Sequence, residues 1–128
     1  STHCISSAAS DVYKRQILKC IQLLKDDEAS IGVFPEGYTS KDGKLHHFRS
    51  GVFKIAQKAN VPIVVCTIRN TRQIFPNISH LKPTDVELHL VDVIPAEDLK
   101  GKTTVDIGNQ VYEMMIGDLG ESFRMEEA

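Results

Sequence analysis

Tryptophan is absent from this 128-residue chain, and Phe, Tyr and Trp together make up only 6% of it. Proteins that hold single-stranded nucleic acid stack bases on aromatic side chains, so that mode of binding is not expected. An excess of positive charge is also lacking. Fifteen Lys and Arg face seventeen Asp and Glu, for a formal net charge of −2. No basic face is available to neutralise phosphates along a duplex, and no nucleic-acid partner is expected. Cysteine is scarce: Cys4, Cys20 and Cys66 are odd in number and match no metal-knuckle spacing. They suit a reduced, cytoplasmic setting. No apolar run approaches the roughly 18 residues of a membrane span. No basic start followed by an apolar stretch marks a signal peptide. A Gly-rich loop between strand and helix is missing too, which counts against a nucleotide-binding domain.

What is present is ordinary globular material, 41% hydrophobic and 25% charged, in a length that suits one small domain. The first sixteen residues stand apart. They are rich in Ser and Ala, and Ser7 to Gln16 resembles a translated sequencing-adapter scar; the alternative is a genuine frayed terminus. Residues 1–16 are therefore expected to be non-native, 17–120 a partial domain and 121–128 a loose tail. Ile17, Leu18, Ile21 and Leu24 recur at helical spacing up to Asp26-Asp27. Ile31 to Phe34 predicts a buried strand, Pro35 to Lys44 a loop, and Ser50 to Asn60 a second helix. The β-branched run Pro62 to Ile68 predicts a central parallel strand. Thr71 to Pro83 reads as irregular, Val86 to Ile94 as another strand, and Thr103 to Leu119 as a final helix. Alternating helices and strands give an α/β fold class.

The stretch Phe34-Pro35-Glu36-Gly37-Tyr38-Thr39-Ser40-Lys41 carries the chemistry. Pro35 has no N–H to continue a strand ladder. Glu36 then falls at the C-terminal edge of the sheet, where α/β folds place ligands. Gly37 permits positive φ or a close backbone approach. Downstream, Ser50 is an expected N-cap for the second helix, with Arg49 beside its amides. A helix start with an adjacent Arg is an anion site. Carboxylate, hydroxyls, Arg and amides together suit a phosphorylated polyol. The bland alternative is a simple strand-to-helix connection in which Glu36 pairs with Arg49.

Three blocks carry a family likeness. Phe34-Pro35-Glu36-Gly37 with Ser40 resembles the FPEGTRS block of the glycerolipid acyltransferases. Phe48-Arg49-Ser50-Gly51 resembles that family's Phe, basic, any, Gly step, and Ala59 to Val65 resembles its VPIxPV block. Order and spacing also fit, and the likeness covers about Ile17 to Leu119. The resemblance implies the C-terminal half of a glycerolipid-acyltransferase-like mixed sheet flanked by helices. It implies transfer of a fatty acyl group from acyl-CoA or acyl carrier protein to lysophosphatidic acid, giving phosphatidic acid, without metal or cofactor. It assigns Glu36, Gly37 and Arg49, with Ser40 and Lys41, to the acceptor's glycerol phosphate. Its membrane contact lies in an N-terminal half, expected to be missing here, and its place is peripheral, on the cytoplasmic face of the cell membrane.

Two departures qualify the resemblance. Tyr38-Thr39 stand where the common block has Thr-Arg, so one phosphate-binding Arg is lost and Arg49, helped by Lys41, carries more of the charge. The family's catalytic His and Asp, separated by four residues, belong upstream, yet His3 has no Asp at that spacing. His80 and Asp85 have the spacing but in the wrong block order, with Pro83 between them. His46-His47 lack further metal ligands nearby. Cys66 and Met114-Met115 read as core packing, and Glu126-Glu127 as solvated tail. The alternative function is a non-catalytic module that binds a phosphorylated lipid or polyol through the same residues.

Overall fold

The computed structural model describes residues 2–5 and 10–126. A strand, β1 (Thr2–Ile5), precedes helix α1 (Ser10–Lys25) and strand β2 (Ser30–Val33). β1 and β2 pair in parallel, joined by α1 as crossover. The boundary drawn at Ile17 is therefore not an element boundary, since a strand and the first two turns of α1 precede it. On α1 the residues at helical spacing do face inward: Cys20 and Ile21 are buried with Ile55, flanked by Ile17, Leu24, Ile31 and Val33. Leu18 is the exception and is 64% exposed. At about 100° per residue it points away from the stripe formed by the other apolar positions.

After a long loop, a 3-10 turn (Ser50–Phe53) leads into helix α2 (Lys54–Ala59), which ends at Asn60 in the left-handed region. Strand β3 (Ile63–Arg69) pairs antiparallel with β4 (Glu87–Ile94), with a register irregularity at Val65/Cys66. The run expected as a central parallel strand thus pairs antiparallel. Its β-branched residues are not buried on both faces: Val65 and Thr67 point inward, while Val64 and Ile68 are exposed. Parallel and antiparallel pairing both occur, in two separate two-stranded sheets.

The segment read as irregular contains a short helix, α3 (Ile74–Ser79), behind a 3-10 turn (Thr71–Gln73). Pro76 is tolerated because it falls in the first turn, where its missing N–H has no partner to lose. A further 3-10 turn (Ala96–Leu99) leads to α4 (Thr104–Leu119), and another (Glu121–Phe123) follows it. The main core joins these parts. Val52, Phe53, Ala56, Val65, Ile94, Leu99, Ile107 and Val111 are buried together, with Met114 and Met115 packed against them. α4 is also tied to the sheet by polar contacts. Asp118 accepts from the Thr67 hydroxyl, its carbonyl accepts from Arg69, and His89 Nδ1 lies 3.2 Å from its carboxylate.

The C-terminal segment is less loose than its composition suggests. Arg124 makes two 2.8 Å bonds to Glu113 and one of 2.7 Å to Glu121. Leu45 N–H donates to Phe123 C=O at 2.7 Å, and Lys44 pairs with Glu126 at 3.1 Å. Glu127 and Ala128 lie outside the described residues. No helix among the described residues is long and apolar enough to cross a membrane.

Candidate functional site

The loop after β2 begins with a tight turn. Gly37 N–H donates to Phe34 C=O at 3.1 Å, with Pro35 in the second position that favours it and Gly37 in the fourth. Gly37 takes φ +74°, where a side chain is strained. The turn is then pinned to the next helix, because Arg49 N–H donates to Pro35 C=O at 2.8 Å. This bond folds the loop back, so residues fourteen apart in sequence meet. The Arg49 side chain lies across Gly37: a Cβ there would stand 3.0 Å from Nε and 3.1 Å from Cδ. Only a glycine leaves room for the guanidinium in this position.

Glu36 closes the loop from inside. One of its carboxylate oxygens accepts the His46 N–H at 2.9 Å. It makes no ion pair with Arg49, so the bland reading of a surface Glu36–Arg49 bridge is not what the chain adopts. Among the described residues no ion pair involves Arg49, whose side chain is exposed. A guanidinium without an acidic partner keeps its forked donors free for an outside anion. Arg49 also occupies the N-cap position expected for Ser50, and Ser50 makes no capping bond. The helix opens as a 3-10 turn, which moves its start back by one residue.

Of the five residues singled out from sequence, Glu36, Gly37 and Arg49 come together. Ser40 is half-buried and the Lys41 side chain exposed, and no hydrogen bond among the described residues joins either side chain to the trio. Lys41 contributes through its backbone: its carbonyl accepts from Arg72 at 2.8 Å, and the Arg72 guanidinium lies over Gly43. Sequence reasoning missed Arg72, which is thirty-one positions away and gives no local signal. It also missed the pairing of His46 with Asp42, Nε2 to carboxylate at 2.8 and 2.9 Å, although their i,i+4 spacing was readable. His46 and the Lys44 N–H hold the Asp42 carboxyl below the usual carboxylate range. Tyr38 meets the His46 ring edge-on at 5.6 Å. No cluster of three or more metal-ligating side chains exists among the described residues.

His80 and Asp85 do not form a dyad. His80 caps α3 in an exposed position, and Asp85 offers its carbonyl to Asn70. Cys66 is only half-buried, on the outer side of β3. A cleft of about 490 Å³ opens between the Phe48 region and α4, lined by His47, Ser50, Tyr112, Glu113 and Arg124. It borders the neighbours of Arg49 but does not include Glu36, Gly37 or Arg49, and the chemistry described above lies elsewhere.

The family whose model is described as Acyltransferase matches residues 1–69, more than half of the chain. The chain belongs to this acyltransferase family. The matched region begins at residue 1, so it takes in β1 and α1 as well as the whole Glu36–Arg49 loop. Among acyltransferase relatives, a chloroplastic 1-acyl-sn-glycerol-3-phosphate acyltransferase of Brassica napus is 47% identical over 58 residues, covering 45% of this chain and 17% of its own. The Chlamydomonas reinhardtii 1-acyl-sn-glycerol-3-phosphate acyltransferase is 35% identical over 89 residues, 66% of this chain and 27% of its own. That of Borreliella burgdorferi is 30% identical over 106 residues, 80% of this chain and 40% of its own. The chain thus spans 17 to 40% of the length of these curated acyltransferases. No solved structure matches it.

Proposed function

We propose that this chain forms the glycerol-phosphate-binding side of a 1-acyl-sn-glycerol-3-phosphate acyltransferase. The acceptor is lysophosphatidic acid, the donor acyl-CoA or acyl carrier protein, and the product phosphatidic acid for phospholipid synthesis. The observation that carries the reading is the unpaired Arg49 guanidinium lying over Gly37, beside the Glu36 turn. Arg49 binds the phosphate through two parallel hydrogen bonds. The Glu36 oxygen not engaged by His46 accepts from a glycerol hydroxyl. Ser40 and Lys41 lie on the same loop and supplement the polar lining. The names of the curated relatives support this acceptor. A lipid acceptor suits a peripheral place at a membrane surface, which the proposal puts at the cytoplasmic face of the cell membrane.

Acyl transfer itself calls on a His and an Asp placed by the family resemblance before β2, and this sequence has no such pair there. The purified 128-residue chain is therefore expected to bind lysophosphatidic acid without turning it over. The test is calorimetric titration of lysophosphatidic acid beside an assay with labelled acyl donor. Binding that Arg49→Ala weakens by about 1.5–3 kcal/mol, on the order of tenfold to a hundredfold, supports the assignment. Equal affinity in wild type and variant refutes it. Measurable turnover by the isolated chain refutes the inactive half and directs attention to His80. A second reading, a binding module with no catalytic role, uses the same Arg49 contact, and it is favoured if the continuous reading frame upstream encodes no His–Asp block.

A further inference from the structure

The α3 segment exposes apolar side chains to an unusual degree. Phe75 is 82% exposed, Ile78 60% and Leu81 94%. Phe75 and Ile78 are three apart on one helix, so their side chains stand on neighbouring positions of one face. Leu81 follows where α3 ends. Its N–H donates to Ile78 C=O and the next N–H, of Lys82, to Asn77 C=O, the pairing of a Schellman cap. Leu81 takes φ +53° there, in a position that favours Gly or Asn. Neither backbone preference nor burial within the chain accounts for a leucine at this point.

Charge narrows the partner. From Arg69 to Thr84 there is no Asp or Glu, although the chain as a whole is net negative. Arg69 is engaged by Asp118. Arg72 and Lys82, at either end of the apolar group, are exposed cations and form no ion pair among the described residues. Exposed apolar tips flanked by Lys and Arg are the composition of a segment that sits at the boundary of headgroups and acyl chains. The segment is also placed beside the candidate site. Arg72 donates to Lys41 C=O and covers Gly43, so α3 stands next to the loop that carries Glu36 and Gly37.

We propose that Phe75, Ile78 and Leu81 form a wedge that inserts into the surface of an anionic lipid bilayer, with Arg72 and Lys82 on its headgroups. This deepens the reading of a lipid acceptor and rests on it for the choice of partner. The wedge brings the Glu36–Arg49 loop to the level of the headgroups, so a lysophospholipid reaches Arg49 without leaving the membrane surface.

The chain has no Trp, so Phe75→Trp supplies a single fluorescent reporter. The test uses vesicles of equimolar phosphatidylglycerol and phosphatidylcholine, without lysophosphatidic acid, and vesicles of phosphatidylcholine alone. Wild type should cosediment with the anionic vesicles, and Phe75→Trp should shift to the blue and be quenched by brominated acyl chains. Phe75→Ser with Leu81→Ser should lower the partition coefficient by roughly tenfold or more. Arg72→Gln with Lys82→Gln should lower it several-fold on anionic vesicles only. Circular dichroism of each variant should match wild type, since the altered side chains are solvent-exposed. Absence of cosedimentation overturns the proposal, as does an unshifted Phe75→Trp. Loss of binding in Leu88→Ser with Leu90→Ser, but not in the wedge variants, overturns it in favour of the outer sheet face. Concentration-dependent self-association that the wedge variants abolish, without vesicle binding, assigns the apolar group to a second copy. Because no acceptor is present, failure here leaves the Arg49 binding test intact, and failure of that test leaves this result standing.

Discussion

Gly37 concentrates two demands in one residue. Its φ of +74° excludes an unstrained side chain, and the Arg49 guanidinium fills the space where a Cβ would lie. The two demands differ in weight. The Arg49 end is flexible and can swing aside at little cost, whereas the backbone strain has no such relief. Gly37→Ala is expected to destabilise the chain by about 1–2 kcal/mol, read as a fall in melting temperature. It should also weaken lysophosphatidic acid binding, because Arg49 is displaced. If that second effect acts through Arg49, adding Gly37→Ala to Arg49→Ala leaves binding unchanged while still lowering stability. Additive losses in binding would show that Gly37 meets the ligand by itself.

At the scale of elements, local chemistry decided starts and stops where a cap was available. Thr103 was legible as the entry to α4, and its Oγ1 accepts the Asp106 N–H at 3.1 Å. Thr103→Ala is expected to cost about 1 kcal/mol, and Thr103→Ser to cost much less, in thermal or urea melts. Where no cap forms, sequence reasoning slipped. Ser50 has the right side chain for a cap, yet Arg49 takes the position because its N–H is drawn to Pro35 C=O. The expectation of an irregular Thr71–Pro83 segment fails at α3, whose exposed Phe75 and Ile78 mark no buried stripe. For β3 the β-branched run gave the strand correctly but not its direction. Pairing sense depends on β4, and β4 is held in place by Thr67, His89 and Asp118 together.

Over the whole molecule, several carboxylates are held in ionised form by the fold. The Thr67 hydroxyl, His89 and Arg69 keep Asp118 below the ordinary carboxylate range, and Arg124 does the same for Glu113 and Glu121. His46 and the Lys44 amide do so for Asp42. Each carboxyl titrates lower in the folded chain than in the unfolded one. The stability they contribute is present above the unfolded carboxylate range and is lost as pH falls through the lowered folded values. Melting temperature should therefore hold near neutrality and fall below about pH 4. Asp118→Asn should lower the neutral value and flatten the acid limb. An acid limb unchanged by Asp118→Asn would show that this cluster does not govern acid unfolding. Salt should weaken the contribution of Arg124, whose partners are exposed, more than that of Asp118.

The sequence by itself determined the helices with a clear stripe, the strand before Pro35, the turn at Gly37 and the family likeness of three short blocks. These are local: they follow from side-chain spacing, from a proline without an N–H and from a glycine that tolerates positive φ. Only the tertiary structure decided that Arg49 lies over Gly37 instead of pairing with Glu36. It also decided that Arg72 reaches Lys41 across thirty-one positions, that β3 runs antiparallel to β4, and that Phe75 and Leu81 face outward. The first three depend on distant segments being brought together, and the last on no described segment of the chain covering α3. No segment carries in its own sequence the identity of the partner it will meet.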